Sequence, residues 1–397
     1  MIKLSNDNHD NNDNLNPFSP QQPAQPEYFA DRKEELNEFR RMAINSAKLK
    51  IPTPVNYAIL GSWGQGKTSM LYKFRQIVIE DLQKQIKCIC IYFALSPESC
   101  QSWEKFTSHF LQDIPSTVTS TNKLTNKIKA ELGKWELSLN VGVVGATRKR
   151  TERQLRLLEA LQSLWEKYLA PSGTQIAFIM LDDLHYFPLR KEESAYLTLR
   201  TTFQELVNRK CNYSLIITAP TLLFTDIADV AEPLGRYFSW IDLKMFTFED
   251  TKEAIEIRLR SVHSSIKVSD ETIKIIVEKT ERHPYLVMFT IHELLNMVSG
   301  IKKIEKEDFL KHWPKIEAIL GRQIFAQKFL HASPTERRLM TDIAKRENKF
   351  FSPGNFSHFK GATRLFVRLE EQELLIRSDR GKYSLFHPLF AEYLKEQ

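Results

Sequence analysis

Tyr57-Ala58-Ile59-Leu60-Gly61-Ser62-Trp63-Gly64-Gln65-Gly66-Lys67-Thr68-Ser69 is the stretch that decides the fold. Four apolar residues run into the spacing G-x-x-x-x-G-K-[ST], and a helical stretch from Met70 to Leu82 follows. In a strand–loop–helix of this kind, glycines let backbone N–H groups wrap phosphate oxygens. Lys67 reaches the β- and γ-phosphates, Thr68 ligates Mg2+, and the helix adds the positive end of its dipole. Gly61, Ser62, Trp63, Gly64, Gln65, Gly66, Lys67, Thr68 and Ser69 are therefore the expected nucleotide-binding residues. Only 13 glycines occur in 397 residues, yet Gly61, Gly64 and Gly66 all fall in this stretch. At that glycine content a chance match is roughly a one-in-a-hundred event.

A phosphate loop needs a carboxylate for the metal, carried at the end of another buried strand. Ile176-Ala177-Phe178-Ile179-Met180-Leu181-Asp182-Asp183 fits this requirement. Asp182 is the expected Mg2+ partner, and Asp183 is placed to orient or deprotonate an attacking water. The bland alternative is a strand ending in a solvated Asp-Asp turn. ATP and Mg2+ are the cofactors these two motifs call for.

Working outward, further strand-like runs occur at Ile86–Leu95, Ser214–Thr218 and Phe238–Leu243, with amphipathic helices between them. Near-continuous apolar strands alternating with helices predict a buried parallel sheet, an α/β fold with five strands. Leu137–Val144 alternates and reads as an edge or inserted strand, followed by the basic run Arg148, Lys149, Arg150, Arg153 and Arg156. From residue 248 the pattern is helical, with helices expected at 250–262, 269–280, 285–299, 306–319 and 321–331. The last segment ends in Leu374–Ser378, Asp379-Arg380-Gly381 and Lys382–Leu385, a strand–turn–strand after helices. Helices followed by such a hairpin form a winged-helix pattern. The boundaries expected are a disordered Asn/Pro/Gln-rich tail at 1–26, a P-loop core at 27–247, a helical lid at 248–332 and a winged helix at 333–397. No internal repeat is present.

Composition narrows the class. With 42% hydrophobic and 26% charged residues the chain is globular, and no apolar run approaches the ~20 residues that span a bilayer. The polar N-terminus lacks a secretory apolar region, so a cytoplasmic protein with no membrane partner is expected. The four cysteines, Cys88, Cys90, Cys100 and Cys211, read as buried free thiols. A net charge of +7 suits an anionic partner without requiring one.

The order of these motifs resembles the AAA+/STAND ATPases, and within them the archaeal-type ATPases related to origin-recognition proteins. Tyr28-Phe29-Ala30-Asp31-Arg32-Lys33-Glu34-Glu35-Leu36 resembles the box that lines the adenine pocket, with Arg32 matching and Asp31 where the family has glycine. Ser214–Pro220 resembles the sensor-1 strand, which implies that Thr218 faces the γ-phosphate. Pro233-Leu234-Gly235-Arg236 resembles the segment whose arginine completes the same or a neighbouring site; a surface ion pair is the alternative for Arg236. Phe246–Ala254 is similar to the lid entry. Glu281-Arg282-His283-Pro284-Tyr285-Leu286 resembles a Gly-Gly-His-Pro turn near the nucleotide, but without its glycines, so a remodelled turn is expected. That likeness puts His283 and Pro284 near the nucleotide; a plain helix start is the alternative. Tyr383–Phe390 looks like the family's winged-helix ending. The resemblance covers residues 27–397.

Three functional readings follow, the third of them a non-enzymatic nucleotide-binding scaffold. The resemblance implies a Mg-ATP-binding assembly switch that forms homo-oligomers on ATP binding and is DNA-associated. Double-stranded DNA would meet Arg364, Arg368, Arg377, Arg380 and Lys382, although acidic Glu370, Glu371 and Glu373 lie beside them. The alternative is a signalling or defence switch acting on protein partners in trans. Vigorous members of the family carry Glu where this chain has Asp183. A carboxylate set back by one methylene predicts slow hydrolysis.

Overall fold

The computed structural model describes residues 15–117, 150–187, 193–221, 224, 236–298, 302–346, 348–379 and 381–397. Leu137–Val144, Arg148, Lys149, Pro233–Gly235 and Arg380 lie outside the described residues. The chain forms two compact units. One is Pro23–Gly61 with Gly66–Lys244; the other gathers Met1–Gln22, Ser62–Gln65 and Met245–Gln397.

The first unit is a five-stranded sheet: β1 (Tyr57–Leu60), β2 (Cys88–Ala94), β3 (Ile176–Asp182), β4 (Tyr213–Ala219) and β5 (Ser239–Asp242). Its order is β2-β3-β4-β1-β5, and every pairing is parallel. The apolar runs have a direct cause. Ile176, Phe178 and Met180 of β3 enter one core, while Ala177, Ile179 and Leu181 enter the other. Both faces are covered, so neither strand face can be polar. Helix α1 (Lys33–Lys48) and helix α2 (Lys67–Gln76) cover one side, where Phe39 and Phe74 stack at 4.1 Å. Helices α3 (Trp103–Thr117), α4 (Arg150–Leu164) and α5 (Glu193–Asn208) belong to the other; Phe106 and Phe110 of α3, Leu157 and Leu161 of α4 and Leu199 and Phe203 of α5 fill it. All four cysteines are free and buried, and burial pushes each thiol up, Cys88 and Cys90 to about 12. They are inert packing groups.

The second unit contains helices α6 (Phe248–Ser261), α7 (Asp270–Lys279), α8 (Pro284–Met297), α9 (Lys306–Leu320) and α10 (Ala326–His331). The winged-helix pattern follows as α11 (Pro334–Ala344), α12 (Ala362–Glu371), an antiparallel hairpin of β8 (Leu375–Asp379) and β9 (Lys382–Leu385), and α13 (Pro388–Lys395). The short parallel pair β6 (Lys267–Val268) and β7 (Lys303–Ile304) ties two lid loops together. Lid and winged helix, expected as separate domains, share one continuous core. Phe325 links them, with ring centroids 5.5 Å from Phe390 and 6.0 Å from Phe386.

The tail reading needs correction over residues 15–22. Phe18 is 2% exposed, lies under the Arg258 guanidinium, and its carbonyl accepts a hydrogen bond from His292. The Asn- and Pro-rich composition hid this single aromatic anchor. Among the described residues no helix is long and apolar enough to cross a membrane.

Candidate nucleotide site

Parallel strands bring their C-terminal ends to one edge of the sheet, and that is where β1, β3 and β4 deliver Gly61, Asp182 and Thr218. Gly66 caps α2 at φ 93°, and its carbonyl accepts the Met70 amide, so the helix starts immediately behind the loop. Lys67 opens α2, and its Nζ donates to the Gly61 carbonyl at 2.8 Å. Thr68 follows within the first turn. Ser69, expected at the nucleotide, is buried, and its Oγ accepts the Ala24 amide at 2.9 Å. Its hydroxyl therefore holds the segment that precedes α1.

The acidic strand end is tightly organised. Asp182 is 3% exposed; its Oδ1 accepts from the Thr218 hydroxyl at 2.5 Å and its Oδ2 from the Tyr92 hydroxyl at 3.2 Å. A carboxylate has about four lone-pair sites, so two donors leave capacity for a metal-bound water. Among the described residues no cluster of three or more His, Cys, Asp or Glu forms a metal cage. One buried carboxylate with a hydroxyl nearby suits Mg2+, which leans on substrate phosphates and water for the rest. The Thr218 hydroxyl also accepts the Asp183 amide at 2.7 Å and is fully buried. It is spent within the strand ends, where the resemblance had it facing phosphate. Asp183 takes the left-handed conformation at φ 60° and is partly exposed, with Oδ1 3.7 Å from His185 Nδ1. Burial and the Lys67 charge lower His185 to about 4, so this ring is neutral near pH 7.

Tyr92 was missed by sequence reasoning. Burial, the Asp182 charge and a bond with Tyr72 all push its phenol up, keeping it a proton donor to Asp182. The available signal was a lone hydroxyl in β2, two residues before Ala94, which pairs with Asp182.

Arg32 sits at the start of α1. Its Nη2 donates to the Lys244 carbonyl at 2.7 Å, and its Nε lies 3.1 Å from Asp31. Asp31 and Arg32 have φ of 71° and 63°, so the turn survives with Asp in the place of glycine. Arg236 is exposed in the turn before β5.

In the other unit, the loop tip Ser62–Gln65 meets the start of α8. His283 Nε2 donates to the Trp63 carbonyl at 3.0 Å, and the Tyr285 amide to the Gly64 carbonyl at 3.2 Å. Burial, then the neighbouring His387, lowers His283 to about 3, so it is neutral. Pro284 is the first residue of α8, where a missing N–H costs nothing. The glycine-less turn is left-handed. Glu281 and Arg282 adopt φ of 44° and 64°, and their amides bond back to Glu278 and Val277 carbonyls, a Schellman-type helix end. Non-glycine residues there are strained, so Glu281→Gly should stabilise the protein by roughly 0.5–1 kcal/mol after the unfolded-state entropy of glycine is counted. A lower urea midpoint for that variant would contradict the left-handed turn.

Among the residues expected at DNA, Arg364, Arg368 and Lys382 are exposed. Arg368 Nε lies 3.0 Å from Glu336 and Arg377 Nε 3.0 Å from Glu370. Arg380 lies outside the described residues.

The sequence matches no family model and no curated protein. Solved structures do match. A Walker-type ATPase of Pyrococcus abyssi is 17% identical with a TM-score of 0.59, over 96% of this chain and 99% of that one. The ORC1 protein of Aeropyrum pernix in complex with DNA is 14% identical, TM-score 0.53, over 93% of each chain. Drosophila ORC bound to DNA is 11% identical, TM-score 0.51, over 100% of this chain and 94% of that one. With its parallel sheet, its phosphate loop and a second unit that carries a β-hairpin after helices, the chain thus shares its α/β P-loop fold with the Walker-type ATPase of Pyrococcus abyssi and the ORC1 protein of Aeropyrum pernix.

Proposed function

We propose that this protein is a Mg-ATP-binding, slowly hydrolysing switch. The observation that carries this reading is the buried Asp182 carboxylate, braced by Thr218 and Tyr92 on the sheet edge where Lys67 opens its helix. Lys67 and the amides of Gly61–Thr68 bind the phosphates. Thr68 and Asp182 would hold Mg2+, which would supply charge neutralisation on the phosphoryl oxygens. Thr218 is a positioning residue: it fixes Asp182 through Oγ–H and Asp183 through the amide it accepts. Asp183 orients the attacking water, and the ring beside it, His185, is neutral near pH 7. Arg32, His283 and Pro284 shape the nucleotide surroundings, and Arg236 is the arginine offered to a site in the same or a neighbouring copy.

The test is ATP binding and turnover with Lys67→Ala as control. Wild type is expected to bind Mg-ATP and turn over at well below one per second, and Lys67→Ala to lose binding at least tenfold. Turnover of tens per second would sink the slow-switch reading, and Lys67-independent binding would sink the site.

For the output, association with double-stranded DNA is the reading the fold favours, since two solved structures of similar fold are DNA complexes; ATP-dependent homo-oligomers are proposed alongside it on the family resemblance of the sequence. The second reading is a signalling or defence switch with protein partners. It is favoured by Arg368 and Arg377, whose ion pairs with Glu336 and Glu370 occupy two of the residues assigned to DNA.

A further inference from the structure

We propose that Glu373 is a built-in anion that takes the place of phosphate at the tip of the loop, so that nucleotide binding and release of the Glu373 carboxylate are one coupled event. This inference rests on the ATP-binding reading above and adds its regulation.

The Trp63 amide belongs to the loop whose N–H groups serve anions. In the structure that amide donates to Glu373 Oε1 at 2.9 Å. A carboxylate accepting a backbone N–H makes a charge-assisted bond, the same kind a phosphate oxygen would make. The two anions compete for one donor, and they also repel each other at close range.

The backbone around Glu373 supports a role for its side chain. Helix α12 ends in a Schellman motif, with the Glu373 amide on the Glu370 carbonyl and the Leu374 amide on the Leu369 carbonyl, both at 2.9 Å. The residue in the left-handed position of this motif is normally glycine. Here it is Glu373, at φ 54°. The chain thus keeps a carboxylate where its backbone favours none.

The rest of the tip is seated in the same unit. The Trp63 ring lies 4.5 Å from Tyr285, and the Lys328 ammonium sits 4.1 Å over its face. Phe386, just past β9, packs edge-on to Trp63 at 6.4 Å. Glu373, Lys328 and Phe386 therefore tie the loop tip to the winged-helix hairpin and its neighbouring helix. Withdrawing the Glu373 bond frees the polar half of that attachment, which is how a bound triphosphate would reach the hairpin.

Glu373→Gly is the informative variant, because it deletes the carboxylate while relieving the left-handed residue. Glu373→Gln keeps an acceptor without charge. Mg-ATP titration calorimetry on the full chain is expected to show about tenfold tighter binding for Glu373→Gly and a smaller gain for Glu373→Gln. Hydrogen exchange of Leu374–Phe386 should rise on adding Mg-ATP to wild type and be already raised in Glu373→Gly without nucleotide. Unchanged or weaker binding by a Glu373→Gly protein of wild-type melting temperature overturns the proposal while leaving the ATP site standing. Wild type and both variants all failing to bind Mg-ATP overturns the site itself, and the proposal with it. Binding by Glu373→Gly alone supports both.

Discussion

Asp182→Asn is expected to reduce Mg-ATP hydrolysis by roughly 10²–10³-fold while the protein stays folded. A preorganised charge at a phosphoryl-transfer site contributes on that scale. Asparagine keeps the volume of Asp182 and can still accept the Thr218 hydroxyl through its oxygen. Its amide nitrogen, however, faces the Tyr92 hydroxyl as a second donor. Tyr92 can rotate its proton away, so the loss of stability is limited to about 1–3 kcal/mol. A Mg2+ held there would lose a full negative charge, and no group of three or more His, Cys, Asp or Glu among the described residues offers another cage. Steady-state phosphate release measured beside a melting curve separates the two effects. A rate within threefold of wild type would remove Asp182 from the mechanism.

Gly64→Ala is the second large effect. Gly64 has φ 75°, and a Cβ built there would lie 2.6 Å from His283 Cε1 and 2.7 Å from Tyr285 Cβ. The left-handed cost of about 1–2 kcal/mol adds to an overpacking cost of about 1–3 kcal/mol. Tyr285 cannot move aside, since it sits in the first turn of α8 with its amide bonded to the Gly64 carbonyl. The expected result is a loss of roughly 3 kcal/mol in urea unfolding, with faster hydrogen exchange at the start of α8. Gly66→Ala gives the contrast: φ is 93°, but nothing lies within 4 Å of the added atom, so only backbone strain applies. Equal losses for the two variants would show that the tip is not seated on His283 and Tyr285.

Much of the site was legible because its chemistry is local in sequence. A phosphate loop is eight consecutive residues, and its strand and helix flank it directly. Asp182 and Asp183 close an apolar run, and parallel strands ending on one edge bring them toward the loop. The strands β1 to β4 were readable for a similar reason: burial on both faces of the sheet leaves a near-continuous apolar signature in each, whereas β5 is mostly exposed. Less legible were contacts that cross long sequence separations. Nothing near Tyr92 announces Asp182 ninety positions later, and nothing in Ser69 foretells Ala24 as its partner. Thr218 was placed on the right strand end, but its hydroxyl direction depends on the register of β3 against β4.

Two turns take left-handed backbone without glycine. Asp31 and the Glu281-Arg282 pair lack glycine, yet all three take positive φ. Helix-end hydrogen bonds and packing outweigh a strain of one or two kcal/mol per residue, a balance invisible in the residue types. The sequence by itself determined the parallel sheet, the phosphate loop and the acidic strand end, because apolar periodicity and phosphate chemistry act over a few neighbouring residues. Tertiary structure alone decided that Thr218 and Tyr92 share Asp182, that Phe18 is buried, and that Glu373 holds the Trp63 amide. Those outcomes depend on where strand register and helix packing carry side chains that are dozens to hundreds of residues apart.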